Sequence, residues 1–168
     1  EVKQEGIVRN VGAFHRFLET LSFSHGSLLN VSQISRECEV PRKTVENYIQ
    51  IVEDLLLAYR LPVFSKRAKR ILIKQSKFYF IDQGVFSGLR PRGVLDAESE
   101  ISGAALEGLV FQHLKSYLSY FDDRMSLYFW RTRSGSEVDF VLYGADGFHA
   151  VEVKNATKVH KRDLRSIK

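Results

Sequence analysis

The 168 residues contain one cysteine, one methionine, one tryptophan and three prolines. A lone Cys38 cannot close an internal disulfide, and no cysteine or histidine stands at zinc-ligand spacing from it. A disulfide-stapled scaffold and a zinc ribbon are therefore excluded, and Cys38 reads as a small buried residue in a helix. The five histidines are scattered without ligand spacing and read as packing or surface residues. No run approaches the roughly 18 to 20 unbroken apolar residues of a membrane span, and no basic-then-apolar segment opens the chain as a signal peptide would. No membrane partner is expected, and the expected location is cytoplasmic. A phosphate loop of the form G-x-x-x-x-G-K is also missing, which excludes nucleotide binding in that manner.

What remains is ordinary for a globular protein: 44% hydrophobic and 27% charged residues, with a formal net charge of +5. The distribution of charge says more than its sum. Between Arg60 and Lys77 lie seven basic residues and no acidic one, including Lys66, Arg67, Lys69 and Arg70. This is the chain's main cationic patch, a feature that permits nucleic-acid contact without requiring it. The chain opens on Glu1 and ends, at Asp163 to Lys168, on what reads as the start of a helix. It is read as a fragment of a longer protein.

Val11, Phe14, Leu18 and Leu21 recur at helical spacing and predict an amphipathic helix over 10–24. Asn30 with Gln33 fits an N-cap and its partner, opening a short helix to Cys38 before a turn at Glu39 to Pro41. Val45, Ile49, Val52, Leu55, Leu56 and Tyr59 then predict a helix of about four turns from Arg42. Extended segments are expected at 61–65, 70–73 and 77–82. A helix-turn-helix followed by a β-hairpin is a winged helix. The exposed start of its longer helix carries Arg42, Lys43 and Asn47, types that meet phosphates and base edges.

Residues 90–102 read as a linker. Beyond it the spacing predicts a helix over 103–120 and strands over 126–131, 137–143 and 148–154. Glu107 has Gly103, Ala104, Val110 and Phe111 at its helical neighbour positions, so it needs a neutralising partner from elsewhere, a cation, a lysine or an arginine. Period-two geometry puts Glu137 with Asp139, and Glu152 with Lys154, on common strand faces. Carboxylates of this kind suit magnesium or manganese, and a lysine beside them suits a phosphate transition state. Arg131 and Arg133, next to the Ser134 to Ser136 turn, are candidates for phosphate contact.

Asp139 followed by Glu152-Val153-Lys154, with a helical Glu107 before them, resembles the PD-(D/E)xK nuclease superfamily. The resemblance implies a restriction-endonuclease-like α/β domain in which Asp139, Glu152 and the carbonyl of Val153 hold Mg2+ or Mn2+. Glu107 would complete that site and Lys154 would act in catalysis. The proline that names the superfamily is replaced here by Val138. A longer collinear series is similar to the C-terminal half of a family of bacterial and archaeal AAA-type ATPases. It runs through Leu29 to Ser32, Leu61-Pro62, Lys77 to Gly84, Leu106-Glu107 and Tyr128 to Phe140. That resemblance implies a missing N-terminal ATPase head, the only part that would use ATP.

The expected fold is thus mixed, α+β and α/β: a winged helix over 1–89, a linker over 90–102, and a nuclease-like domain over 103–168 that is truncated at its C-terminus. Two functions stay open. One is DNA binding with metal-dependent phosphodiester hydrolysis by Glu107, Asp139, Glu152 and Lys154. The other is a non-catalytic DNA-binding or protein-interaction module that docks or regulates the ATPase head. A homo-oligomer is compatible with either.

Overall fold

The computed structural model describes residue 8 and residues 10–65, 75–94, 96–121, 124–132, 135–158 and 160. Among these it forms five helices and six strands in two small antiparallel sheets. Helix α1 (Val11–Ser22) is N-capped by Asn10, whose Oδ1 accepts from the Ala13 amide at 2.9 Å. Strand β1 (Ser27–Leu28) follows, then α2 (Val31–Glu37), capped by Asn30 as the sequence predicts, with the Gln33 amide donating to its Oδ1 at 3.1 Å. Glu39 closes α2 in the left-handed conformation at φ 55°, and the Val40 amide donates back to Ser35 O. That is the geometry of a Schellman cap, and it makes the turn into α3 tight.

Helix α3 (Arg42–Asp54) ends sooner than its apolar spacing predicts. Leu56 takes φ 56°, its amide donates to Glu53 O, and the Leu57 amide donates to Val52 O. A second Schellman cap therefore stops the helix, leaving Leu55 and Leu56 exposed and placing Tyr59 in β2 (Ala58–Leu61). Strand β3 (Lys77–Phe80) pairs antiparallel with both β1 and β2, so the first sheet has the order β1-β3-β2. The extended segment expected at 70–73 lies outside the described residues.

Asp82 then caps a short helix that the sequence reading did not anticipate, α4 (Gln83–Leu89), by accepting from the Val85 amide. The following stretch is strapped down. Arg90 pairs with Asp96 at 3.1 Å and lies 3.7 Å over the Phe23 ring, and Asp96 also accepts from the Gly93 amide. Helix α5 (Glu98–Phe121) starts before the expected Gly103, so Glu98 to Ser102 are helical. Strands β4 (Met125–Arg131), β5 (Glu137–Gly144) and β6 (Gly147–Val151) form the second sheet in chain order. Strand β6 stops at Val151, so Glu152 and Lys154 lie just beyond it rather than on it.

Strand β3 is buried at all four positions and serves two cores. Period two sends alternate side chains to opposite faces. Phe78 and Phe80 join α1, α2, α3 and α4 through Phe17, Leu21, Ile34, Val45, Val52 and Phe86. Tyr79, on the other face, joins α5 and the second sheet through Phe111, Phe129 and Phe140. Its ring stacks on Phe111 with centroids 4.4 Å apart. No helix among the described residues is long and apolar enough to cross a membrane.

His25 sits where the first core meets α5. Its Nδ1 accepts from the Phe80 amide at 3.1 Å, its ring stacks on Phe86, and it is 4% exposed. Burial lowers its pKa to about 4, with a backbone hydrogen bond to Ala104 opposing the shift. The unfolded chain therefore binds a proton on His25 between pH 6.5 and about 4 that the folded chain does not, and stability falls as pH drops through that window. The loss should reach about 3 kcal/mol at the acid end. Urea midpoints across this range are expected to fall less steeply in His25→Asn than in the wild type. Gly108 on α5 makes room for the ring: a Cβ there would collide with His25 Nε2 and Gln83 Nε2. Gly108→Ala should cost about 1–3 kcal/mol by overpacking, read in the same denaturations.

Candidate functional site

An ammonium group from the first sheet sits among carboxylates from the second unit. Lys77 leads β3, and its side chain is only 3% exposed. Its Nζ lies 2.9 Å from Glu107 Oε1 on α5, 2.5 Å from Glu137 Oε1 at the start of β5, and 3.5 Å from Asp139 Oδ1. Tyr79, on the same face of β3, donates its hydroxyl to the same Glu107 oxygen at 2.5 Å. The second oxygen of Glu137 takes Arg131 Nη1 from β4 at 3.2 Å. The opposite oxygen of Asp139 accepts from the Val153 amide at 2.8 Å, which fixes the segment leaving β6. On either side of that amide, Lys154 Nζ contacts Glu152 Oε1 at 2.6 Å. Asn155 then ties the segment to Ser102 on α5.

The electrostatics follow from this geometry. Burial opposes the charge on Lys77, but Glu107 and Glu137 outweigh it and hold the pKa above its ordinary value. Burial raises the Glu107 pKa, and Asp139 adds to that shift, while Lys77 and the Tyr79 hydroxyl offset part of it. Burial, followed by the charge of Glu107, drives the Tyr79 pKa far up, so the phenol stays a donor.

Sequence reasoning identified Glu107 as an acid in need of a tertiary partner, and Lys77 with Tyr79 is that partner. It placed Lys77 in the cationic patch of residues 60–77, and the structure buries it. The usable signal was parity, since Lys77 and Tyr79 share a face of β3. Arg60, from the same patch, is bound by Glu53 through Nε and Nη2. Arg131, expected to face phosphate, is engaged with Glu137. Arg42, Lys43 and Asn47 are exposed on α3, with Arg42 bonded to Glu46 and Ser32. Lys66, Arg67, Lys69, Arg70 and Arg133 lie outside the described residues.

The expected metal site was Glu107, Asp139 and Glu152 with the Val153 carbonyl. Glu107 is instead turned to Lys77 and Tyr79, and one Asp139 oxygen is held by the Val153 amide. Among the described residues no three of His, Cys, Asp or Glu are grouped so as to hold a metal ion. This donor set does not fit a three-carboxylate magnesium or manganese centre. One acid oxygen stands apart: Glu152 Oε2 is buried with no hydrogen-bond partner among the described residues.

A family model described as Domain of unknown function (DUF8612) matches residues 1–96, and one described as Domain of unknown function (DUF4143) matches residues 102–168. The chain is similar to Uncharacterized protein Mb2031c of Mycobacterium bovis and to Uncharacterized protein Rv2008c of Mycobacterium tuberculosis. It is 26% identical to each over 171 residues, covering 99% of this chain and 37% of each relative. It therefore spans well under half the length of these relatives. No solved structure gives a significant match.

Removing the lysine leaves Glu107, Glu137 and Asp139 facing one another without their shared cation. Lys77→Met is expected to destabilise the fold by about 3–5 kcal/mol, as breaking a buried ion pair from one side does. Chemical denaturation checks it. Lys77→Met combined with Glu107→Gln should recover part of the loss.

Proposed function

Because the chain belongs to the family described as Domain of unknown function (DUF8612), a description that assigns no activity, we propose its function from the geometry: a duplex-DNA-binding module without hydrolytic activity, carried by a longer AAA-type ATPase-family protein. The buried Lys77 ammonium carries the choice between binding and hydrolysis, because it occupies the centre that the acids would otherwise offer to a cation. The N-terminal half is read as a winged helix. Support comes from the order α1, β1, α2, α3, β2, β3, the tight Glu39 turn, and the antiparallel pairing of β2 with β3. In this reading α3 enters the major groove with Lys43 and Asn47 on its solvent side. The C-terminal half is read as a nuclease-like fold, a helix followed by three antiparallel strands, in which the acids hold the two halves together.

Glu152 Oε2, buried beside the Lys154 ammonium without a hydrogen-bond partner among the described residues, favours a second reading in which the site hydrolyses phosphodiesters with a metal ion. The two readings separate experimentally. Anisotropy of a short labelled duplex across a salt series should show weaker binding for Lys43→Ala, with the log–log salt slope shallower by about one unit. An unchanged slope would remove α3 from the interface. Plasmid incubated with Mn2+ should stay supercoiled. Nicking that is lost in both Asp139→Ala and Lys154→Ala would replace the binding reading with the hydrolytic one.

A further inference from the structure

The two sheets meet along their edges, and the seam comes apart at a proline. Segment 62–64, continuing β2, pairs parallel with β4: the Phe129 amide donates to Pro62 O at 3.0 Å, and the Phe64 amide donates to Phe129 O at 2.6 Å. Backbone parity fixes what comes next. The Ile81 amide donates to Leu57 O, so Tyr59 and Leu61 point their backbone groups at β3 while Ala58 and Arg60 point theirs away. The Ala145 amide donates to Arg124 O, so Ser126 and Tyr128 face β5 while Met125 and Leu127 face outward, toward β2. The next parallel rung would need the residue at 62 to donate to Leu127 O. Proline has no N–H to give.

The ladder stops there, and a cleft of about 360 Å³ opens between β2 and β4. Phe111 and Leu118 of α5 are among its lining residues, with Arg60 and Lys115 also on its wall, and among the described residues no acidic one lines it. Lys115 Nζ lies 5.6 Å from the centre of the Tyr59 ring. No carboxylate pairs with it among the described residues, whereas Arg60 is already held by Glu53.

We propose that this cleft docks a short extended peptide bearing an acidic side chain, its backbone bonding the outward groups of Arg60 and Leu127 and its carboxylate meeting Lys115. Adding a strand to an open edge draws affinity from main-chain hydrogen bonds and specificity from alternate side chains. Here the apolar floor takes the inward residues and Lys115 selects the charge. The cleft is separate from the Lys77 cluster, so the proposal stands whether or not the chain binds DNA.

The test uses a capped five-residue peptide of alternating valine and glutamate, its lysine counterpart, and inorganic phosphate, each titrated into the labelled protein. Backbone amide shifts are followed by NMR. The glutamate peptide should move the amides of Ala58, Arg60 and Leu127 saturably, the lysine peptide at least about fivefold more weakly. Lys115→Glu should reverse that order. Pro62→Ala restores the missing donor, so it should close the seam and abolish the shifts while the protein stays folded. The proposal is overturned if neither peptide moves these amides, if both bind equally, or if phosphate alone reproduces the shifts. It is overturned equally if Pro62→Ala binds as the wild type does.

Discussion

One buried ammonium group decides how the two halves of this chain fit together. Placing a lysine out of water is costly unless its charge and its three donors are met. Lys77 meets that demand with Glu107, Glu137 and Asp139, none of which belongs to its own sheet. The strand that carries it is shared in the same sense. Phe78 and Phe80 complete the helical core, and Tyr79 completes the core under the second sheet. Pulling the halves apart would expose the second-core face of β3 and leave the acids facing one another. The clasp and the shared strand therefore couple two small cores, each of modest size for its own stability, into one cooperative structure.

The sequence was most legible where local chemistry decides the outcome. Asn30 announces α2 because a side-chain oxygen on an early amide works without tertiary help. The end of α3 was not legible. Leu55, Leu56 and Tyr59 continue the apolar period, and the stop is a left-handed Leu56, where a glycine would normally give the signal. Helix α4 was missed because a seven-residue helix carries little periodicity. Strand β6 was read too long, since Glu152 and Lys154 keep the alternation after the pairing with β5 has ended.

The candidate site shows the same boundary between local and distant information. Glu107 could be identified from its apolar helical neighbours alone, which required a charge partner from elsewhere. The partner, Lys77, lies thirty positions earlier in the chain, in a basic run where nothing local marks it as the residue that is buried. Spacing can tell that a charge needs neutralising; only the packing of β3 against α5 and β5 tells which residue does it.

Charge balance describes how the acid-and-lysine pattern is accommodated in this fold. Glu107, Glu137, Asp139 and Glu152 bring four carboxylates, and Lys77, Lys154 and Arg131 bring three cations in direct contact with them. With every group ionised, the cluster carries a single net negative charge. A divalent ion entering without expelling any of the three would leave it net positive, with Lys77 Nζ already at hydrogen-bond distance from two of the acids. Like charges at such separations repel strongly in a site shielded from water. A cation at Glu107 and Glu137 would compete with Lys77 for the contacts that join β3 to the second unit. Three of the four acids, Glu107, Glu137 and Asp139, hold Lys77 and so form the joint between the cores, whereas Glu152 pairs with Lys154 on its own segment.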